Sequence, residues 1–189
     1  MPPVIKVTKE QIIDTAYQMT REQGFECVTA RKLAKEIGCS TQPIFRVYPG
    51  MEALKKEISD RVNREFSERL TRELLTEPQL EEMLLKSGLL YVNFAKEEPY
   101  LFRMLFMEES PEGSRFEDLL HGRDLKSILL KKEGRAGAPV WSLMERQYLF
   151  MQMWIFAHGV ATMMLTKDLA LEERDIPDIL RGMLNHLIR

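Results

Sequence analysis

The chain has 189 residues, 44% of them hydrophobic and 30% charged, with a formal net charge of −2. That balance excludes a disordered chain and leaves one sizeable helical domain, or a domain of about 50 residues joined to a larger one. No basic, then apolar leader opens the sequence and no run of about eighteen apolar residues follows, so a cytoplasmic protein without a membrane segment is expected.

Thr8 and Gln11 form a capping box ahead of Ile12, Ile13, Ala16 and Met19, which repeat at helical spacing, and Gly24 is expected to stop this first helix in the left-handed conformation. Thr29 is a good N-cap for a second, short helix with Leu33, Ala34 and Ile37 inward and Gly38 as its stop. Cys39, Ser40 and Thr41 offer a new cap, and Pro43 suits the first turn of a third short helix carrying Ile44, Phe45 and Val47, closed by Pro49 and Gly50. From Met51 to about Glu77 apolar residues recur every three or four positions, which predicts one long helix or two nearly continuous ones.

Pro78 and Pro99 each restart a helix, and Ser110 to Ser114 reads as a loop. Phe116 to Lys132 is helical but weakened by Gly122, and Glu133 to Pro139 is a linker. Val140 to about Thr166 is apolar on nearly every face, so this helix is expected to be buried within the chain or between subunits. Ile176 to Ile188 is the last helix. No period-two strand pattern or repeat is present, and the fold class is all-α with about nine helices.

Three short helices with a tight turn between the second and third describe a helix-turn-helix, here at about 29–48, with Thr41 to Val47 as the helix that enters the major groove. Between Thr29 and Lys56 six basic residues face two acidic ones, an excess of four positive charges in a chain that is otherwise acidic. The run V-T-A-R-K-L-A-K-E-I-G-C-S-T-Q-P-I-F-R-V-Y-P-G-M-E-A-L, Val28 to Leu54, resembles the signature of the tetracycline-repressor (TetR/AcrR) family of transcriptional regulators. The resemblance is specific over about Lys6 to Ile58. It implies an N-terminal helix-turn-helix domain over 1–50 and an effector-binding and dimerisation domain over 51–189. It also implies Thr29, Arg31, Ser40, Thr41, Arg46, Tyr48 and Lys55 as DNA contacts. Gln42 and Pro43 stand where the family usually has glycine and a small residue. Phe45 replaces the usual phosphate-binding tyrosine and cannot make that hydrogen bond. Gln42 has the donor–acceptor pair that reads adenine.

Beyond Met51 the resemblance is architectural. Trp154 to Met164 looks like the family's penultimate helix, which with the last helix would build an intersubunit four-helix bundle. Ile155, His158, Gly159, Thr162, Leu180, Met183 and Leu187 are the expected interface of a homodimer, unless the stripe packs within one subunit. Tyr91, Phe94, Phe102, Phe106, Trp141, Gln147, Met151 and Trp154 either line a pocket for a small apolar or amphipathic effector or form core. Gln152 shares the apolar helix and needs a polar partner there.

His121, His158 and His186 are too scattered for a metal site, and Cys27 and Cys39 are separated by eleven residues without nearby histidines. Neither a metal nor a cofactor is expected. No P-loop, G-x-S-x-G or H-E-x-x-H pattern marks an enzyme. The resemblance implies a repressor that an effector releases from a palindromic double-stranded DNA operator. A helical adaptor acting through a protein partner remains the alternative.

Overall fold

A computed structural model of the chain describes residues 7–108, 123–134, 136, 137, 140–167 and 172–188. Among them are nine α-helices: α1 Lys9–Gln23, α2 Ala30–Ile37, α3 Gln42–Val47, α4 Met51–Thr76, α5 Leu80–Glu97, α6 Pro99–Phe106, α7 Arg123–Lys131, α8 Leu143–Thr166 and α9 Ile176–Leu187. The only strand-like pairing among the described residues is an isolated parallel bridge between Gln79 and Glu133. The all-α class is therefore as the sequence implies. The expected loop at 110–114 and the start of the helix expected from Phe116 lie outside the described residues.

The chain divides into two compact units. The first runs to Glu65 and adds Glu98–Glu108, so it holds α1 to α3, the start of α4, and α6. α1 opens on the expected capping box: Thr8 Oγ1 accepts from the Gln11 amide at 3.1 Å, and the Thr8 amide donates to Gln11 Oε1 at 3.0 Å. Gly24 ends α1 differently from expectation. Its φ is 83° but its ψ is 155°, an extended conformation and not the left-handed helical one. This geometry leads the chain into a 3₁₀ turn at Phe25–Cys27. Gly38 does take the left-handed form, with φ 79° and ψ 34°, and its amide closes on the carbonyls of Ala34 and Lys35.

Ile12, Ala16, Leu33, Ile44, Leu54, Ile58 and Phe102 are fully buried and make the core of this unit. Ion pairs fasten its outside. The Arg21 guanidinium forks onto Glu98, with Nε 2.8 Å from both carboxylate oxygens. Arg61 reaches Asp14 at 2.5 Å and Glu65 at 2.9 Å. The Tyr17 hydroxyl donates to Glu65 at 2.8 Å, and burial together with that carboxylate pushes its pKa up to about 12.

The second unit holds the rest of α4, then α5, α7, α8 and α9. Its centre is aromatic. Tyr91 and Trp154 lie with ring centroids 4.3 Å apart, and Phe66 packs 4.9 Å from Phe94 and edge-on to Trp154 at 6.0 Å. Gly88 lets α5 meet α8 and α9, because a Cβ there would stand 2.8 Å from Met153 Sδ and 3.5 Å from Leu180 Cδ1.

α8 begins with a second capping box, Ser142 with Glu145, which sequence reasoning missed. Leu143–Thr166 is also the one described helix long and apolar enough to cross a membrane, with 39% of its most apolar window buried. One side of this helix is core, with Leu149, Met153 and Trp154 buried, and the other side is an apolar stripe, with Met144, Tyr148 and Ile155 exposed on the single chain.

Candidate functional site

The second and third helices place the candidate DNA-contacting residues. Thr29 caps α2 by accepting from the Lys32 amide at 3.2 Å. Leu33 and Ala34 face inward, so Arg31, Lys32, Lys35 and Glu36 point outward. Among the described residues Arg31, Lys32 and Lys35 make no ion pair. In α3 only Ile44 is buried. At 3.6 residues per turn Gln42, Phe45 and Arg46 fall within an arc of about 100°, and all three are exposed. Ser40 is exposed and Thr41 half-exposed just before this helix. Thr41 itself has helical φ and ψ, −70° and −18°, and its side chain makes no cap hydrogen bond. The expected cap is thus absent, and the hydroxyl is left for other partners.

Two members of the expected set are engaged by other residues of the chain. Tyr48 is 4% exposed, with the Lys9 ammonium 5.7 Å from its ring centroid. Burial, reinforced by the Glu57 carboxylate, raises the pKa of its hydroxyl. Tyr48 is corrected to a framework residue at the C-cap of α3. Lys55 is half-buried, ion-paired with Glu108 at 2.5 Å, and lies 5.7 Å from the Phe25 ring centroid.

In the second unit a cavity of about 750 Å³ opens along the first half of α8 and the end of α9. Trp141, Met144, Tyr148 and Met151 supply its apolar wall, and Glu145, Gln147, Gln152 and His186 its polar groups. Glu145 stays ionised, because the backbone and hydroxyl of Ser142 both donate to it and lower its pKa. Behind the wall Arg146 donates to three carbonyls, Trp141 at 3.0 Å, Leu129 at 2.7 Å and Lys132 at 2.6 Å. The buried Lys132 ammonium donates in turn to the Leu74 carbonyl at 2.7 Å and to that of Glu77, which satisfies carbonyls at and just beyond the last turn of α4. Burial lowers the Lys132 pKa.

Residues 12–58 match the family described as bacterial regulatory proteins, tetR family. Over this N-terminal segment the chain is similar to the tetR family. Nucleoid occlusion factor SlmA from Haemophilus influenzae (strain PittGG) is 25% identical over 143 residues, which cover 70% of this chain and 66% of that protein. The chain therefore spans just under two thirds of this relative. FadR from Bacillus subtilis, solved with stearoyl-CoA, shares the fold with a TM-score of 0.61 at 16% identity, covering 96% of this chain and 98% of that one. A TetR variant from Acinetobacter baumannii AYE, solved with minocycline, also gives 0.61 at 16% identity, covering 97% and 95%. A Rhodococcus sp. RHA1 protein of unknown function gives 0.70 at 14% identity, covering 99% and 96%.

The eight residues expected to line an effector pocket separate into three groups. Trp141, Gln147 and Met151 line the cavity. Tyr91, Phe94 and Trp154 are core, buried in the aromatic cluster. Phe102 and Phe106 belong to the first unit, their ring centroids 5.2 Å apart. Sequence reasoning missed Met144, Glu145, Tyr148 and His186. Steps of four and three place Met144 and Tyr148 on one face of α8 with Met151, but the opposite face is just as apolar, so the spacing alone did not mark them as lining.

The expected interface residues divide as well. Ile155 is 60% exposed, and space is open above Gly159. Thr162, Met183 and Leu187 are half-exposed. Leu180 is corrected to core, because it is fully buried beneath Gly88. His158 is turned toward its own subunit, with Nδ1 2.8 Å from the Tyr91 hydroxyl, and burial lowers its pKa.

Proposed function

We propose that this chain is a cytoplasmic DNA-binding regulator of transcription that works as a homodimer, and that it represses until an effector releases it. The observation that carries the reading is the outward face of α2 and α3. Arg31, Gln42 and Arg46 are exposed there beside the hydroxyls of Ser40 and Thr41, within the segment where positive charge is concentrated. Arginines and hydroxyls neutralise and bond phosphates, while an exposed glutamine reads a base edge. Domain 1–50 is the reading head, and 51–189 carries dimerisation and effector binding.

Beyond the cavity wall, Ile155, Gly159 and Thr162 continue the outward face of α8, with Met183 and Leu187 half-exposed on α9. An exposed apolar face of that length is best covered by the same face of a second copy, because a twofold interface is self-complementary. A twofold dimer presents two reading heads to a palindromic operator. The apolar wall of Trp141, Met144, Tyr148 and Met151, with Gln147 and Gln152 as hydrogen-bonding groups, suits a small apolar or amphipathic effector. The stearoyl-CoA and minocycline bound by the FadR and TetR relatives support a ligand-accepting fold. The Arg146–Lys132 carbonyl network links that wall to the end of α4, and α4 is the element through which effector binding changes the spacing of the heads. A coupling of about 1–3 kcal/mol is enough for release.

The test is fluorescence anisotropy of the purified protein with DNA flanking its own gene, at two salt concentrations, beside Arg46→Ala. Tight, salt-sensitive binding that the variant loses is the expected result. Absence of binding to flanking or selected DNA favours the protein-partner adaptor.

A further inference from the structure

We infer that Phe45 is a specificity-determining residue that reads the 5-methyl group of a thymine in the major groove. This rests on the DNA-binding reading above. Phe45 is 51% exposed although its neighbour Ile44 already fills the inward position of α3 completely. The ring is therefore not needed for the core. It stands at one edge of the outward arc, about 60° around the helix from Gln42, one turn earlier, and about 100° from Arg46, the next residue.

The chemistry of that arc selects the occupant. A phenyl ring has no hydrogen-bond donor for a phosphate, so it does not add to backbone anchoring. Among the base edges of the major groove the distinct apolar feature is the thymine methyl, and aromatic contact with it is a direct readout. Residues three apart on a helix have Cβ atoms about 5–6 Å from each other, and successive bases are about 3.4 Å apart along the axis. Gln42 and Phe45 thus reach the same or adjacent base pairs. An adenine read by Gln42 and a thymine met by Phe45 make an A·T-containing step the centre of each half-site. A protein partner is disfavoured, because the single apolar ring is flanked by Arg46 and Gln42 and shares the segment of positive charge.

The experiment selects duplexes from a randomised pool with the full-length protein. It then replaces each thymine of the best duplex, one at a time, with uracil, which pairs identically but lacks the methyl. Loss of one buried methyl is expected to weaken wild-type binding about threefold to fivefold, at one thymine in each half-site. Phe45→Ala is expected to be insensitive to uracil at that position, and Phe45→Tyr, which keeps the ring, to stay sensitive. An unchanged thermal midpoint of Phe45→Ala shows that the fold is retained. The inference is overturned if no single uracil weakens the wild type, or if Phe45→Ala keeps the same sensitivity. Failure to select any duplex overturns the DNA-binding reading, and this inference with it.

Discussion

Replacing Gly24 with alanine tests how the reading head is built, because the chain leaves α1 through a conformation that only glycine adopts easily. With φ at 83° and ψ at 155°, a β-carbon is strained by about 1–3 kcal/mol. The same β-carbon would lie 3.2 Å from Cδ1 of the Tyr100 ring, tight enough to force a shift that adds about 1 kcal/mol. The stiffer unfolded chain returns about 0.4–1 kcal/mol. The net loss is about 2–3 kcal/mol, a fall of about 1–2 M in urea midpoint. Unfolding followed by circular dichroism measures it, with Tyr100→Ala and the double variant alongside. Tyr100→Ala should relieve the steric share of the loss and leave the backbone share. A Gly24→Ala protein within about 0.5 kcal/mol of wild type refutes the argument. So does complete rescue by Tyr100→Ala, which would leave no backbone strain.

Thr29→Ala should cost about 1 kcal/mol through loss of the α2 cap, and Thr29→Ser should restore most of it, both read from thermal midpoints. Ile155→Glu places a charge in the exposed stripe of α8 and should raise the dimer dissociation constant at least tenfold by analytical ultracentrifugation, an effect of about 1.4 kcal/mol or more; an unchanged constant removes this face from the interface. His158 has a folded pKa below its unfolded one because of burial. The unfolded chain therefore binds the extra proton, and stability present above about pH 6.5 is lost as pH falls through the folded pKa. Denaturation midpoints between pH 7.5 and pH 5 should show that slope, and His158→Gln should flatten it.

Local rules carried far in this sequence where one signal dominated. The Thr8–Gln11 box, the Thr29 cap, the Gly38 stop and Pro99 at the start of α6 are short-range features, and each appears at the residue that the pattern indicates, while α5 begins at Leu80, two residues after Pro78. Gly24 escaped because the glycine signal gives the sign of φ but not ψ, which depends on the turn that follows. Tyr48 and Lys55 were legible only as residue types. Burial under Lys9 and the ion pair with Glu108 join segments distant in sequence.

The apolar second half posed a different difficulty. α8 is apolar on both sides, so periodicity could not separate the core side holding Leu149, Met153 and Trp154 from the outward side holding Met144, Tyr148 and Ile155. Tyr91, Phe94 and Trp154 have the composition of a ligand site, yet they satisfy one another in the core. Nothing in the local sequence marks Lys132 as buried, because the Leu74 and Glu77 carbonyls that accept from it lie more than fifty residues away in sequence.

The central claim is that the α2–α3 face holds duplex DNA through its phosphates, and the most direct measurement is the affinity for a selected duplex as a function of salt for wild type and Arg31→Ala. Each phosphate contact contributes about 0.9 to the slope of log affinity against log salt. Loss of one contact per subunit of a dimer should therefore make the slope shallower by about 1.8, with lower affinity at every salt concentration. Binding whose strength and slope are the same in both proteins contradicts a phosphate contact at Arg31, and binding that does not respond to salt at all contradicts the account of this face as a DNA interface.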